Sequence, residues 1–195
     1  MKTAQQARPC NPSTQRLDLA IFMATKITIG GHDLEVTVTE ADLIHFVNAQ
    51  SDVYDQVTDE LTKGRKRTHW MWFIFPQLEG LGYSSLAQRY AIRDLDQARR
   101  YLADPLLGSR LRHDVRLVMS HEGKSALDIL GSPDDLKLRS CLTLFAQAAS
   151  EESDLALFKQ ALDQFYCGKL DPRTLELLGV IAPRDIVFEE KENGD

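Results

Sequence analysis

The segment that most restricts how this chain can fold is Arg65-Lys66-Arg67-Thr68-His69-Trp70-Met71-Trp72-Phe73-Ile74-Phe75-Pro76-Gln77. Three successive cations run directly into both tryptophans of the protein, two phenylalanines and a proline. From Trp70 to Phe75 every residue is apolar, so no side of the segment is suited to water, and Pro76 cannot extend a helix. These properties predict a brief helical turn buried at the centre of the fold, with a cationic lip. The polar edges of the turn (His69, the two indole N–H groups and Gln77) require hydrogen-bond partners once water is removed.

The remaining pattern is helical. Leu43, Phe46 and Val47 form one apolar stripe, and Val53, Tyr54, Val57 and Leu61 form a second that stops at Gly64. Leu107, Leu111, Val115 and Val118 mark a longer helix. Leu138, Leu142, Phe145 and Ala149 mark another, and Leu155, Phe158, Leu162 and Phe165 a third. Asp104-Pro105, Ser132-Pro133 and Asp171-Pro172 each read as a cap followed by proline at the first helical position, and Asp94 and Ser125 read as further caps. Only Lys26 to Val38 alternates like a strand, divided by Gly30-Gly31 in the manner of a hairpin. The expected fold class is therefore all-α: a multihelical globule with a short buried central helix, preceded by a small N-terminal β-hairpin. The expected organisation is a disordered tail over 1–16, a hairpin extension over 17–38, a single helical domain over 39–188 and a disordered acidic tail over 189–195.

With 195 residues, 43% of them hydrophobic, the chain can bury one sizeable core. Its net charge of −6 disfavours nucleic acid as a partner. The charge is nonetheless uneven. Residues 63–116 carry 11 Lys and Arg against 5 Asp and Glu, a local +6 that leaves −12 for the rest. That asymmetry suits a cationic surface for a small anion. Cys10, Cys141 and Cys167 are odd in number and show no paired spacing, which points to a reducing, cytoplasmic setting. The apolar run from Leu17 to Ala24 is short and broken by Asp18, so neither a signal peptide nor a membrane span is expected.

Familiar catalytic signatures are missing. Gly123-Lys124-Ser125 resembles the end of a phosphate loop, but Val118 stands where the first glycine belongs. The histidines show neither i,i+4 pairing nor cysteine partners, so no metal and no cofactor is expected. Three constellations could carry function. In the first, His69, Trp70, Trp72 and Gln77 line a cavity in which Arg65 or Lys66 meets an anion. In the second, Asp134 and Asp135 open a helix, and Lys137, Ser140 and Thr143 follow at three- and four-residue steps. This arrangement could bring an acid or base, an ammonium and two hydroxyls to one pocket. The third joins Ser84, Ser85, Gln88, Arg89, Tyr90 and Arg93, followed by Arg110 on the long helix, where Tyr90 with Arg93 could clamp a ring and a phosphate. The bland reading of all three is core aromatics and solvated surface charge.

At these residues the chain resembles DUF1810, a bacterial domain family of unknown function. The resemblance rests on Gly64 to Gln77, Ala87-Gln88-Arg89-Tyr90-Ala91-Ile92, Leu107-Gly108-Ser109-Arg110-Leu111, and Ser132 to Ser140 with Thr143-Leu144-Phe145. It spans about Ala41 to Gly179 and implies a multihelical fold around an unusual short buried helix. Related sequences are sometimes labelled calpastatin, a protease inhibitor. A looser likeness, through Gln88-Arg89-Tyr90-Ala91 and Thr143-Leu144-Phe145, is to the all-helical NADAR family, which acts on ADP-ribose-type N-glycosidic bonds.

The leading expectation is a protein that binds a small anionic, nucleotide-like ligand. Trp70 or Trp72 would stack on it, and Arg65, Lys66 and Lys137 would neutralise its charge. An N-glycosidic hydrolase using Asp134 or Asp135 is the enzymatic alternative. An interaction module, or a homodimer formed through the N-terminal ribbon, is the third. The residues alone specify no reaction, and they leave monomer and dimer equally open.

Overall fold

The apolar stripes of the sequence become the inward faces of ten helices among the described residues. The computed structural model describes residues 41–180 and, ahead of them, only the backbone of two strands. Those strands, β1 (Thr25–Ile29) and β2 (His32–Val36), pair antiparallel, with Thr25 opposite Val36 and Ile29 opposite His32. They belong to a unit over 1–38 that is separate from the unit over 39–195. The expected tails over 1–16 and 189–195, Cys10 and the remainder of the 17–38 extension lie outside the described residues.

Helix α1 (Ile44–Ser51) buries Phe46, and α2 (Tyr54–Thr62) buries Val57 and Leu61. The aromatic segment forms α3 (Met71–Ile74), one turn long, with Trp70, Met71, Ile74 and Phe75 buried and Trp72 and Phe73 half-buried. After the turn, the chain is tied down by a parallel bridge between Leu78 and Ile92 that flanks α4 (Ser85–Arg89). Next come α5 (Leu95–Ala103), α6 (Leu107–Met119) and α7 (Ala126–Leu130). The last three are α8 (Asp134–Ala148), α9 (Glu152–Tyr166) and α10 (Pro172–Leu177).

The hub of this unit is α8. Leu138, Cys141, Leu142, Leu144, Phe145 and Ala148 are buried around most of its circumference, and it packs against α5, α7, α9 and α10. A helix that is apolar nearly all round has to sit inside. A row of rings crosses the core through it. Phe46 meets Tyr101 edge-on at 5.2 Å, Tyr101 lies 5.4 Å from Phe145, and Phe145 lies 6.0 Å from Phe158.

The helix starts obey capping chemistry, with two corrections. Asp94 accepts from the N–H of Gln97, Asp171 from that of Thr174, and Ser125 forms a reciprocal capping box with Asp128. Pro105, however, lies ahead of α6, because Asp104 Oδ1 accepts from the N–H groups of Leu106 and Leu107 and delays the first helical residue to Leu107. At α8 the residue before the helix is Pro133 itself, so Ser132 caps nothing there. The corner between α5 and α6 is tight enough to need Gly108, where a Cβ would stand 2.1 Å from the Leu102 carbonyl oxygen.

Candidate functional site

Glu60 organises the entry to the aromatic turn. It lies on the buried face of α2, one residue before Leu61, and its carboxylate accepts from four donors of the following loop. These are Arg67 N–H at 2.7 Å, Thr68 N–H at 3.1 Å, Thr68 Oγ1 at 2.7 Å and Trp70 Nε1 at 2.9 Å. Burial alone would raise this carboxyl. The donors outweigh it and bring the pKa down to about 2, so Glu60 is a permanent anion at neutral pH. Trp70 is thereby consumed: its N–H is bonded and the residue is 2% exposed. It cannot stack on a ligand, contrary to one sequence-based expectation.

The middle cation of the triplet turns inward. Lys66 Nζ lies 2.7 Å from Asp134 Oδ2, donates to the Thr68 carbonyl at 2.7 Å and sits 5.0 Å from the centre of the Trp70 ring. The other oxygen of Asp134 is 2.6 Å from Lys137 Nζ, which in turn lies 4.9 Å from the centre of the Trp72 ring. Two lysines from different parts of the chain thus share one carboxylate at the start of α8, each over one of the two indoles. Burial would push Asp134 upward, but the hydrogen bonds from Lys137 and Lys66 prevail and hold it below the ordinary carboxylate range. Its position in the first turn of α8 adds the favourable helix dipole.

Trp72, Gln77, Lys137 and Ser140 open onto one cleft of about 360 Å³, which Tyr83 and Arg173 also line. Lys137 puts a charge at the wall, Trp72 a flat ring, and Tyr83 a second ring that is 86% exposed. The far wall is held by α8 itself. Arg139 donates to the carbonyls of Lys169 (2.9 Å) and Leu170 (2.6 Å), and Thr143 Oγ1 accepts from the N–H of Asp171 at 2.8 Å. These contacts pin α10, which carries Arg173 and its ion pair with Glu176.

The other expected site residues lie elsewhere. His69 is exposed on the loop, away from any wall of that cleft. Thr143 is fully buried and occupied by backbone bonds to Arg139 and Asp171. Ser140 does line the cleft but returns its hydroxyl to the Leu136 carbonyl. Asp135 is outside the lysine pair; its Oδ1 is buried without a hydrogen-bond partner, and its backbone carbonyl accepts from Tyr166 at 2.5 Å. Tyr90 packs into the core, edge-on to Phe73 at 5.3 Å and stacked on His45 at 5.7 Å. Arg65 belongs to a different groove, shared with Arg67 and Lys63. Among the described residues no cluster of His, Cys, Asp and Glu is placed to hold a metal, and no helix is long and apolar enough to cross a membrane.

Nothing in the three constellations of the sequence marks Glu60, Tyr83 or Arg173. For the acid a signal exists, since it interrupts an apolar helical stripe at a position that should face inward. Nothing local distinguishes Tyr83 or Arg173.

Comparison with known proteins agrees with this architecture. Residues 40–178 match a family model described as a protein of unknown function, DUF1810. Among solved structures, the conserved hypothetical protein Rv1873 of Mycobacterium tuberculosis is similar at 51% identity, over 72% of this chain and 98% of that one, with a TM-score of 0.68. No curated protein matches the chain.

Proposed function

The chain belongs to the DUF1810 family of proteins of unknown function, and we propose that it binds a small anionic, nucleotide-like ligand in the cleft between Trp72 and Lys137. One observation carries this reading. At the cleft wall an ammonium group lies 4.9 Å from the centre of a half-buried indole, so charge and a flat apolar face meet at one point. Lys66 and Lys137 share the single carboxylate of Asp134, which leaves a local surplus of positive charge. A ligand whose anionic group reaches Lys137 would bring a ring against Trp72, while Gln77 offers a donor and an acceptor for its edge. Free thiols at Cys141 and Cys167 fit the reducing, cytoplasmic setting that belongs to the same proposal.

The two tryptophans supply the test. Trp70 is sealed and Trp72 lines the cleft, so a ligand should alter the emission of Trp72 alone. A panel of nucleotides and ADP-ribose compounds, titrated at low salt, should contain members that stabilise the protein thermally and quench its fluorescence. Trp72→Phe should abolish the quenching, and Lys137→Met should weaken binding at least tenfold. If no member of the panel stabilises the protein, the proposal fails. The hydrolytic alternative needs a carboxylate able to move a proton, whereas both oxygens of Asp134 are held by lysines. Release of free base from a bound member of the panel, abolished in Asp134→Asn, would extend binding to N-glycosidic cleavage.

A further inference from the structure

The cationic triplet has two faces, and only one of them takes part in the ion pair with Asp134. From Arg65 to Thr68 the chain is a strap in which every N–H is bonded. Arg65 donates to the Glu60 carbonyl (3.1 Å) and Lys66 to the Ile129 carbonyl (2.7 Å), while Arg67 and Thr68 donate to the Glu60 carboxylate (2.7 and 3.1 Å). Its side chains part to two sides. Lys66 turns in to Asp134, and Arg65 and Arg67 are left exposed on the opposite side.

Arg65 and Arg67 line a groove of about 530 Å³ with Lys63, Gln56, Asp59 and Thr68, and Glu60 lies at its floor. The two acids of the groove are already engaged. Asp59 is 2.6 Å from Lys63, and the Glu60 carboxylate is surrounded by its donors from the strap and from Trp70. Among the described residues neither the Arg65 nor the Arg67 guanidinium makes an ion pair or a hydrogen bond. The contrast with Arg112 and Arg139 is sharp, since both of those bind carboxylate or carbonyl oxygens. Behind the strap the chain leaves α2 through Gly64 at φ 60°, a left-handed conformation in which a Cβ would stand 2.8 Å from the His121 ring and Lys124 Nζ, so glycine is required there. Lys124 Nζ also donates to the Gly64 carbonyl at 3.2 Å.

We propose that this groove is a second anion site, independent of the Trp72 cleft, in which the paired guanidiniums of Arg65 and Arg67 grip a doubly charged phosphate group such as a diphosphate. Two residues apart and lining one groove, Arg65 and Arg67 have Cα atoms no more than roughly 7 Å apart. That is close enough for two forked donors to converge on one phosphate group, the geometry at which arginine surpasses lysine. Because the strap is already bonded at every N–H, binding orders only the two side chains.

Inorganic pyrophosphate and inorganic phosphate, titrated separately by calorimetry at low ionic strength, test the site without reference to the cleft. Pyrophosphate should bind the full chain more tightly than phosphate does. The double substitution Arg65→Gln/Arg67→Gln should raise its Kd at least tenfold while leaving the melting temperature unchanged, because both side chains are exposed. Lys137→Met should leave pyrophosphate binding as it was. Equal affinity in the double variant, a loss in Lys137→Met alone, or no pyrophosphate binding at all would overturn the second site. Trp72 fluorescence in the nucleotide titration is unaffected by any of these results, so the two proposals fail separately.

Discussion

Glu60 on α2 and Asp114 on α6 hold equivalent places in their helices. Glu60 lies three residues after Val57 and one before Leu61. Asp114 lies three after Leu111 and one before Val115, and all six residues are buried. Their surroundings differ completely. Glu60 receives donors on both oxygens and its pKa falls to about 2. Asp114 accepts only from Tyr54 Oη at 3.1 Å, and its Oδ2 is buried without a partner. Arg110 is near but engaged elsewhere, 4.1 Å from the centre of the Tyr54 ring and bonded to Gln50 Oε1 at 3.1 Å. Burial therefore prevails over the Tyr54 hydrogen bond and the charge of Arg110, and pushes the Asp114 carboxyl up to about 7. Burying an acid is destabilising or stabilising according to how many donors its neighbours bring, and helix periodicity carries no information on that count.

The largest effect that would break this contrast is at Glu60. Glu60→Ala strands three buried or half-buried N–H groups and a hydroxyl, and should destabilise the fold by about 4 kcal/mol in urea unfolding. A loss below about 1 kcal/mol would show that the loop finds other partners. Asp114 should behave in the opposite sense. Its folded pKa is raised, so between about pH 4 and pH 7 the native state retains a proton that the unfolded chain has lost, and stability falls as pH rises through that window. Asp114→Asn should flatten that slope and stabilise the protein at pH 8, by on the order of 3 kcal/mol. Unchanged slopes in the variant would remove Asp114 as their source.

Glu60→Gln sharpens the comparison further. The folded pKa of Glu60 is depressed, so its contribution is complete above about pH 4.5 and is lost as pH falls toward 2. The amide variant should be less stable by about 2 kcal/mol at pH 7, and its deficit should shrink in acid, measured by chemical unfolding at a series of pH values. Smallest is Thr143→Val on α8, which removes the acceptor for Asp171 N–H and should cost about 1 kcal/mol. It would also loosen α10, seen as faster amide exchange at Asp171 and Thr174.

Much of the helical scaffold was legible in advance. Leu107, Leu111, Val115 and Val118 line one face of α6 because 3.6-residue periodicity makes that stripe unavoidable, and Asp171 caps α10 because a short acceptor side chain at that point captures an otherwise unbonded N–H. The inward placement of Trp70 to Phe75 followed from apolarity on every side. At the candidate site Asp134, Lys66, Lys137 and Trp72 come together, whereas Trp70 is buried with its N–H held by Glu60 and Lys66 over its ring, and His69 stays exposed. Asp104 displaced an expected helix start by holding two N–H groups of the preceding turn.

The chain by itself determined which residues shun water and where helices stop, because both depend on interactions within a few residues of one another. Tertiary structure alone decided that Lys66 and Lys137, seventy-one positions apart in numbering, would share one carboxylate. It alone decided that Arg65 and Arg67 would face away from them, and that one buried acid would be saturated with donors while another was left short. Those outcomes depend on how helices distant in sequence are juxtaposed. At such contacts a displacement of one ångström changes a hydrogen bond into a desolvated charge.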